Sequence, residues 1–325
     1  MSERPVILIG SPNNPQWTGD GVNGGVKTQN LLSLLLRDHG YESYFVSFDG
    51  SKIDWLMRHT DYISVDTARQ WKEQGRNLKF VTTWLWSAIF FELTQRYFLW
   101  DEELGFSSEY HLQRGILDQH MRERRIINLA THSRTIQSWY MATYGATPVY
   151  LPLWSADYWK PCAEKRVTGR IGYFGGEEGD THDIEVIRQH CAEHGLSPEF
   201  IQLGGAEMQC LNDMQSCDLY VALGRGKHPL WGEGCNLSGL EAQHAGCVVV
   251  MYDTLGIREY LHDGWNGYVE PIGRADMLAG RIIELLQNKA KLEAMRLRSV
   301  DLAQGYFNAD QRWDSVKEFL QLEAD

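Results

Sequence analysis

The sequence predicts an α/β chain built from two doubly wound, parallel-sheet domains. Three observations carry this. The 325 residues are too many for one ordinary doubly wound domain and suit two. In the first half, short apolar runs alternate with helical patterns. In the second half, residues 217–252 read as strand, loop, helix and strand. That is a βαβ unit, and its ligand end is the carboxyl end of its strands.

Val6-Ile-Leu-Ile-Gly10 is an uninterrupted apolar run, as a parallel strand buried on both faces requires. A loop rich in Gly, Asn and Pro follows, and residues 26–37 place leucines at 31, 34 and 35 on one helical stripe. Residues 43–47, 62–65, 79–83, 126–130 and 149–151 are the other strands expected in the first sheet. Residues 154–167 carry a proline and several polar residues without a period, and read as an inter-domain linker. Residues 170–174 open a second sheet, which 200–203, 219–223 and 248–252 continue. Helices are expected at 183–194, 207–215, 237–245 and 275–288, with Gly246 stopping the third. A last helix spans 310–323, its apolar positions at Trp313, Val316, Phe319 and Leu320.

Composition narrows the function. The formal charge of −12 argues against a broad nucleic-acid surface, which needs clustered Lys and Arg; a local patch stays open. No stretch approaches the roughly 18 apolar residues of a membrane-spanning helix. The first ten residues do not make a secretory signal. Six scattered cysteines without Cys-x-x-Cys pairs read as reduced, mostly buried thiols of a cytoplasmic protein. The histidines show no metal-ligand spacing.

The most informative stretch is Glu233-Gly-Cys-Asn-Leu-Ser-Gly-Leu-Glu241. Its two carboxylates flank a loop-to-helix junction, and Glu241-Ala-Gln-His-Ala-Gly-Cys-Val-Val-Val continues into helix and strand. Thr254-Leu-Gly-Ile-Arg-Glu-Tyr-Leu-His-Asp-Gly-Trp-Asn-Gly-Tyr-Val269 follows. This ordered set resembles the Glu-x7-Glu motif and the GG-x-x-E-x-x-x-D-G-x-N-G segment of retaining glycosyltransferases of family 4. The resemblance implies the GT-B fold, two Rossmann-like domains facing across a cleft. It implies an acceptor domain over 1–160, a nucleotide-sugar donor domain over 161–305 and a terminal helix over 306–325 that crosses back to the first domain. It also implies a UDP- or GDP-type sugar as co-substrate, no other cofactor and no metal.

Site residues follow. A carboxylate at Glu241 can accept hydrogen bonds from both ribose hydroxyls, and the resemblance gives it that role. It sets Glu233 against the transferred sugar as a catalytic residue. Cys235, Asn236 and Leu237 offer backbone N–H groups at a helix start for a sugar hydroxyl or phosphate, and Asn236 also suits an N-cap. Gly19-Asp-Gly-Val-Asn-Gly-Gly-Val-Lys27 lies between strand and helix and resembles the family's glycine loop, with Gly24, Gly25 and Lys27 toward the donor. Trp84 and Trp86 open an aromatic run that reaches Trp100. Core packing and an acceptor-binding wall are both open for it.

Two departures from the family stand out. The stretch Phe174-Gly-Gly-Glu-Glu-Gly-Asp-Thr-His-Asp183 lacks the Arg and Lys that neutralise the leaving diphosphate in the family. Trp84 stands near the place of the family's N-domain histidine. Arg225 and Lys227, in the glycine-flanked loop before Glu233, are the candidates to replace the basic pair, and His132 is the candidate substitute histidine; a solvated loop and a structural histidine stay open as the alternatives. The reading is a metal-independent retaining glycosyltransferase with an unidentified acceptor. A nucleotide-sugar epimerase and a non-catalytic nucleotide-sugar-binding subunit remain its alternatives.

Overall fold

The structure, a computed structural model, describes residues 4–10, 24–82, 91, 93–102, 104, 111–162, 168–175, 178–223 and 236–323. The chain divides into two compact units, Met1–Leu153 with Ala309–Asp325, and Trp154–Asn308. No helix among the described residues is long and apolar enough to cross a membrane.

The first unit runs β1 (Val6–Gly10), α1 (Gly24–Asp38), β2 (Ser43–Ser47), β3 (Asp61–Ser64), α2 (Val65–Glu73), β4 (Leu78–Thr82) and β5 (Tyr97–Asp101). It continues with α3 (His111–Arg122), β6 (Ile126–Thr131), α4 (Arg134–Tyr144) and β7 (Val149–Tyr150). Among the described residues these strands form one parallel sheet in the order β3-β2-β1-β4-β5-β6-β7. The order reverses at β1, so β1 and β4 flank the switch point where such sheets bind ligands. All five residues of β1 are buried, which explains its unbroken apolar run.

Strand β5 was not anticipated. The second half of the aromatic run is Tyr97-Phe-Leu-Trp-Asp, every residue of it buried and Trp100 fully so. These aromatics fill the sheet's core. Trp84 and Trp86 lie outside the described residues.

The C-terminal helix (Trp313–Leu320) packs on this same unit. Trp313 stacks on His39 with ring centroids 3.7 Å apart, and Phe319 meets Phe98 edge-on at 5.8 Å. A helix end leaves carbonyls without intrahelical partners. Here Lys79 on β4 donates to Leu320 O and Gln321 O at 2.5 and 2.8 Å. Asn128 on β6 donates to Glu318 O and Phe319 O at 3.1 and 3.0 Å. Burial pushes the Lys79 ammonium below its ordinary pKa.

The second unit contains β8 (Arg170–Phe174), α5 (Glu178–Glu193), β9 (Glu199–Leu203), α6 (Glu207–Ser216), β10 (Leu219–Ala222) and α7 (Leu237–His244). It ends with β11 (Val248–Tyr252), β12 (Gly267–Glu270), α8 (Ala275–Gln287) and α9 (Lys289–Tyr306). The parallel order is β12-β11-β10-β8-β9, with its reversal at β8 and β10. The start of the stretch read as a linker packs into this unit. Trp154 and Trp159 are buried, and Glu207 accepts from Tyr158 Oη at 2.8 Å and Trp159 Nε1 at 3.2 Å.

The Asp263-Gly-Trp-Asn-Gly267 segment builds the turn into β12, a strand absent from the sequence reading. Asn266 is fully buried; its Nδ2 donates to Tyr260 O at 2.8 Å and its Oδ1 accepts from His262 N at 2.7 Å. A Cβ on Gly267 would stand 2.4 Å from Val249 O in the neighbouring strand, so only glycine fits. This part of the motif is structural.

Candidate active site

The site is built on the β10–α7–β11 unit. Residues 224–235 connect β10 to α7, and Glu233, Arg225, Lys227 and Cys235 all lie there, outside the described residues. Description resumes at Asn236. Its extended backbone (φ −66°, ψ 101°) and its Oδ1, which accepts from Gly239 N at 2.7 Å, make it the N-cap of α7. The same Oδ1 accepts from Ser238 Oγ at 2.6 Å, and Ser238 Oγ pairs with Tyr220 Oη on β10 at 2.7 Å. The cap is thereby fixed to the strand before it.

Helix α7 is buried nearly all round, including Leu237, Leu240, Gln243 and His244. Glu241 lies one turn in and is 5% exposed. Burying a carboxylate is costly unless it is well provided with hydrogen bonds. On a solvated helix face a glutamate needs no such provision, so this position is not an ordinary surface one.

The segment after β11 locks onto the start of α7. Tyr260 Oη donates to Asn236 O at 2.8 Å, and a Cβ on Gly239 would lie 2.4 Å from Tyr260 Oη. Replacing Gly239 with alanine is therefore expected to displace Tyr260 and cost about 1–3 kcal/mol, as overpacking does. Urea unfolding of the variant checks this, and a stability equal to wild type would contradict the packing. Nearby, Leu255 holds φ 64° and ψ −60°, with Gly256 N bonded to Thr254 O at 2.7 Å. This is the strained γ-turn geometry. The Asp253 carboxylate braces it, accepting from Leu255 N at 3.2 Å and from the Arg258 guanidinium.

Near the carboxyl end of β8, where the basic pair was missed, Asp183 on α5 accepts from Tyr252 Oη at 2.8 Å. That carboxylate ties α5 to the end of β11.

In the first unit Gly24 and Gly25 open α1, and Lys27 in its first turn is 4% exposed. His132 follows β6 and is 1% exposed, beside Ser133, whose Oγ caps α4 by accepting from Ile136 N at 3.2 Å. Sequence reading missed Glu102. It follows β5, is 9% exposed, and accepts from Thr28 Oγ1 of α1 at 2.6 Å. The available signal was three consecutive acids, residues 101–103, closing an apolar run, the exit of a buried strand. Asn236, Leu237 and Glu241 thus share one helix, while Gly24, Gly25, Lys27 and His132 belong to the other unit.

Residues 174–299 match the family model described as Glycosyl transferases group 1. The match covers less than half of the chain and falls within the second unit. No curated protein matches the chain by sequence. Solved structures are similar over a longer span. Sucrose-phosphate synthase from Thermosynechococcus elongatus is 15% identical, with TM-score 0.69, over 98% of this chain and 97% of that one. The pneumococcal O-GlcNAc transferase GtfA, in complex with UDP and GlcNAc, is 13% identical, with TM-score 0.68, over 98% and 99%. S. aureus TarM is 9% identical with TM-score 0.63; the match takes in 79% of this chain but spans only 58% of TarM. At such identities the likeness establishes the fold, which is GT-B with two Rossmann-like domains.

Proposed function

We propose that the chain is a retaining glycosyltransferase that moves a sugar from a nucleotide-diphosphate sugar to an acceptor. The observation that carries this is Glu241, a carboxylate 5% exposed one turn into the helix of a βαβ unit that matches the glycosyltransferase family. A carboxylate so placed can accept hydrogen bonds from both hydroxyls of a ribose diol. UDP is the first nucleotide to try, since GtfA and TarM were both crystallised with it.

Glu233 faces the transferred sugar in this reading, and Cys235, Asn236 and Leu237 supply N–H donors beside it. The leaving diphosphate carries about two or three negative charges, which are costly to bury without partners. Arg225 and Lys227 provide them, with Gly24, Gly25 and Lys27 as the second source. Catalysis is mainly electrostatic: fixed donors stabilise the charge that accumulates on the diphosphate as the sugar becomes oxocarbenium-like. The reaction uses no metal, and Trp84 and Trp86 line the acceptor. The cysteines at 191, 210, 217 and 247 are buried, as suits the thiols of a cytoplasmic protein.

The test is incubation with UDP-glucose, UDP-GlcNAc and GDP-mannose, with and without EDTA, following products by NMR. Expected are nucleotide release with or without chelator and an axial-to-axial outcome at the anomeric carbon. Interconversion of the sugar without nucleotide release identifies an epimerase. Nucleotide binding without turnover identifies a binding subunit.

A further inference from the structure

Most buried carboxylates among the described residues have evident structural work. Asp101 accepts the Tyr140 hydroxyl at 2.6 Å and ties β5 to α4. Asp218 accepts backbone N–H groups of Thr168 and Gly169, each at 2.6 Å, at the start of β8. Glu207 holds Tyr158 and Trp159, and Glu270 holds Arg281 at 2.6 Å. Glu102 differs in its place. It stands just past β5, at the carboxyl edge of the sheet, where open α/β sheets receive their ligands.

Successive strand residues point to opposite faces. Asp101 turns toward α4, so Glu102 turns toward α1, where Thr28 Oγ1 reaches it at 2.6 Å. The β5–β6 register pairs Asp101 with Thr131. Glu102 and His132 are the residues that follow this pair on the two segments. A carboxylate, an imidazole and a hydroxyl, contributed by three segments, therefore stand at the ligand end of the first unit, with the carboxylate and the hydroxyl in contact. Their residues are 9%, 1% and 3% exposed.

A carboxylate only accepts hydrogen bonds, and it repels phosphate. Resting on the glycosyl-transfer reading, we propose that Glu102, held by Thr28 and with His132 at the end of the adjoining strand, receives the hydroxyl of the acceptor and restricts acceptors to neutral hydroxyl compounds, saccharides or polyols. Phosphorylated acceptors are refused by the same charge. Water, the smallest hydroxyl compound, is oriented in the same way, so donor hydrolysis reports on the residue even before an acceptor is known.

The experiment compares full-length wild type with Glu102→Gln, which keeps an oxygen for Thr28 and removes the charge. Nucleotide affinity is measured by calorimetry and nucleotide release from the sugar donor is followed in water alone. Release is also followed with glucose, glycerol, glucose 6-phosphate or glycerol 3-phosphate added. Expected for the variant are nucleotide affinity within twofold of wild type, an unchanged melting temperature and at least tenfold slower release. In wild type, any added compound that accelerates release is a neutral one. Wild-type release by the variant overturns the role, as does a loss of nucleotide affinity that matches the loss of release. Preference for a sugar phosphate overturns it too. If Glu102→Gln does not fold, Glu102→Asp is read by the same two measurements, and unchanged release again overturns the role. A wild-type chain that binds nucleotide but turns over no donor ends the transfer reading itself, and this role with it.

Discussion

Replacing Glu241 with alanine weakens the binding of UDP or GDP, whichever the chain binds, by about 1.5–3 kcal/mol, roughly ten- to 150-fold in Kd. The expectation follows from position. Asn236 caps α7, Tyr260 fastens the cap, and Glu241 is held one turn further on with 5% exposure. Such a carboxylate is presented on a rigid element, so little ordering remains to offset its bonds to the ribose hydroxyls. Truncation also empties buried volume, so loss of packing has to be separated from loss of contact. Glu241→Gln does this, since it keeps the shape and one acceptor oxygen. Calorimetry at equal fold integrity should place Gln between wild type and Ala. Unchanged affinity in both variants would remove the ribose assignment and leave Glu241 a role in packing.

The second unit was more legible in the sequence than the first, for physical reasons. Strands β8 to β11 are short apolar runs bounded by turn residues, and the helix between β10 and β11 opens on an asparagine cap. Strand β5 is also wholly buried, but a parallel strand covered on both faces lacks the alternation that marks a strand. Its aromatics resemble a core helix or a ligand wall equally well. Strand β12 is hidden because it opens on Gly267, inside a segment whose turn residues dominate. Helix α9 escaped notice because its buried stripe is Leu292, Met295, Ser299 and Ala303, half of it small or polar. Helix α2 buries only Val65 and Ala68. In the candidate site, Glu241 was legible because its spacing from Glu233 is fixed within one loop and helix. Glu102 was not, because its significance depends on a helix 74 residues away in sequence that supplies Thr28. Leu255 shows the limit of pattern matching. It takes a left-handed φ of 64° where the resembling segment has glycine, and the sequence alone reports neither the strain nor the Asp253 brace that holds it.

His244 makes the stability of the second unit depend on pH. It is the last residue of α7, three positions after Glu241, and is 4% exposed. Burial pushes its pKa down from 6.5 to about 4, against a smaller upward pull from the Phe307 backbone. A helix C-terminus ordinarily favours a cation, but here desolvation outweighs it. The unfolded chain takes up the proton near pH 6.5, while the folded chain refuses it until about pH 4. Between those values the unfolded state binds more protons, so stability falls as pH falls. The contribution is complete above pH 6.5 and is lost on the way to pH 4. The pKa difference corresponds to about 3 kcal/mol at the acid end. Urea unfolding at pH 7.5 and pH 4.5 measures it, with His244→Gln as the comparison because carboxylates elsewhere also titrate. The wild type is expected to lose about 2–3 kcal/mol more than the variant over that interval. Equal losses would mean that His244 is solvated in the folded chain. Because His244 and Glu241 share one short helix, acid that strains its end should also loosen the nucleotide contact. Nucleotide affinity should therefore hold at pH 6 and decline only as the pH nears 4, where the folded chain takes up the proton, and decline less in His244→Gln.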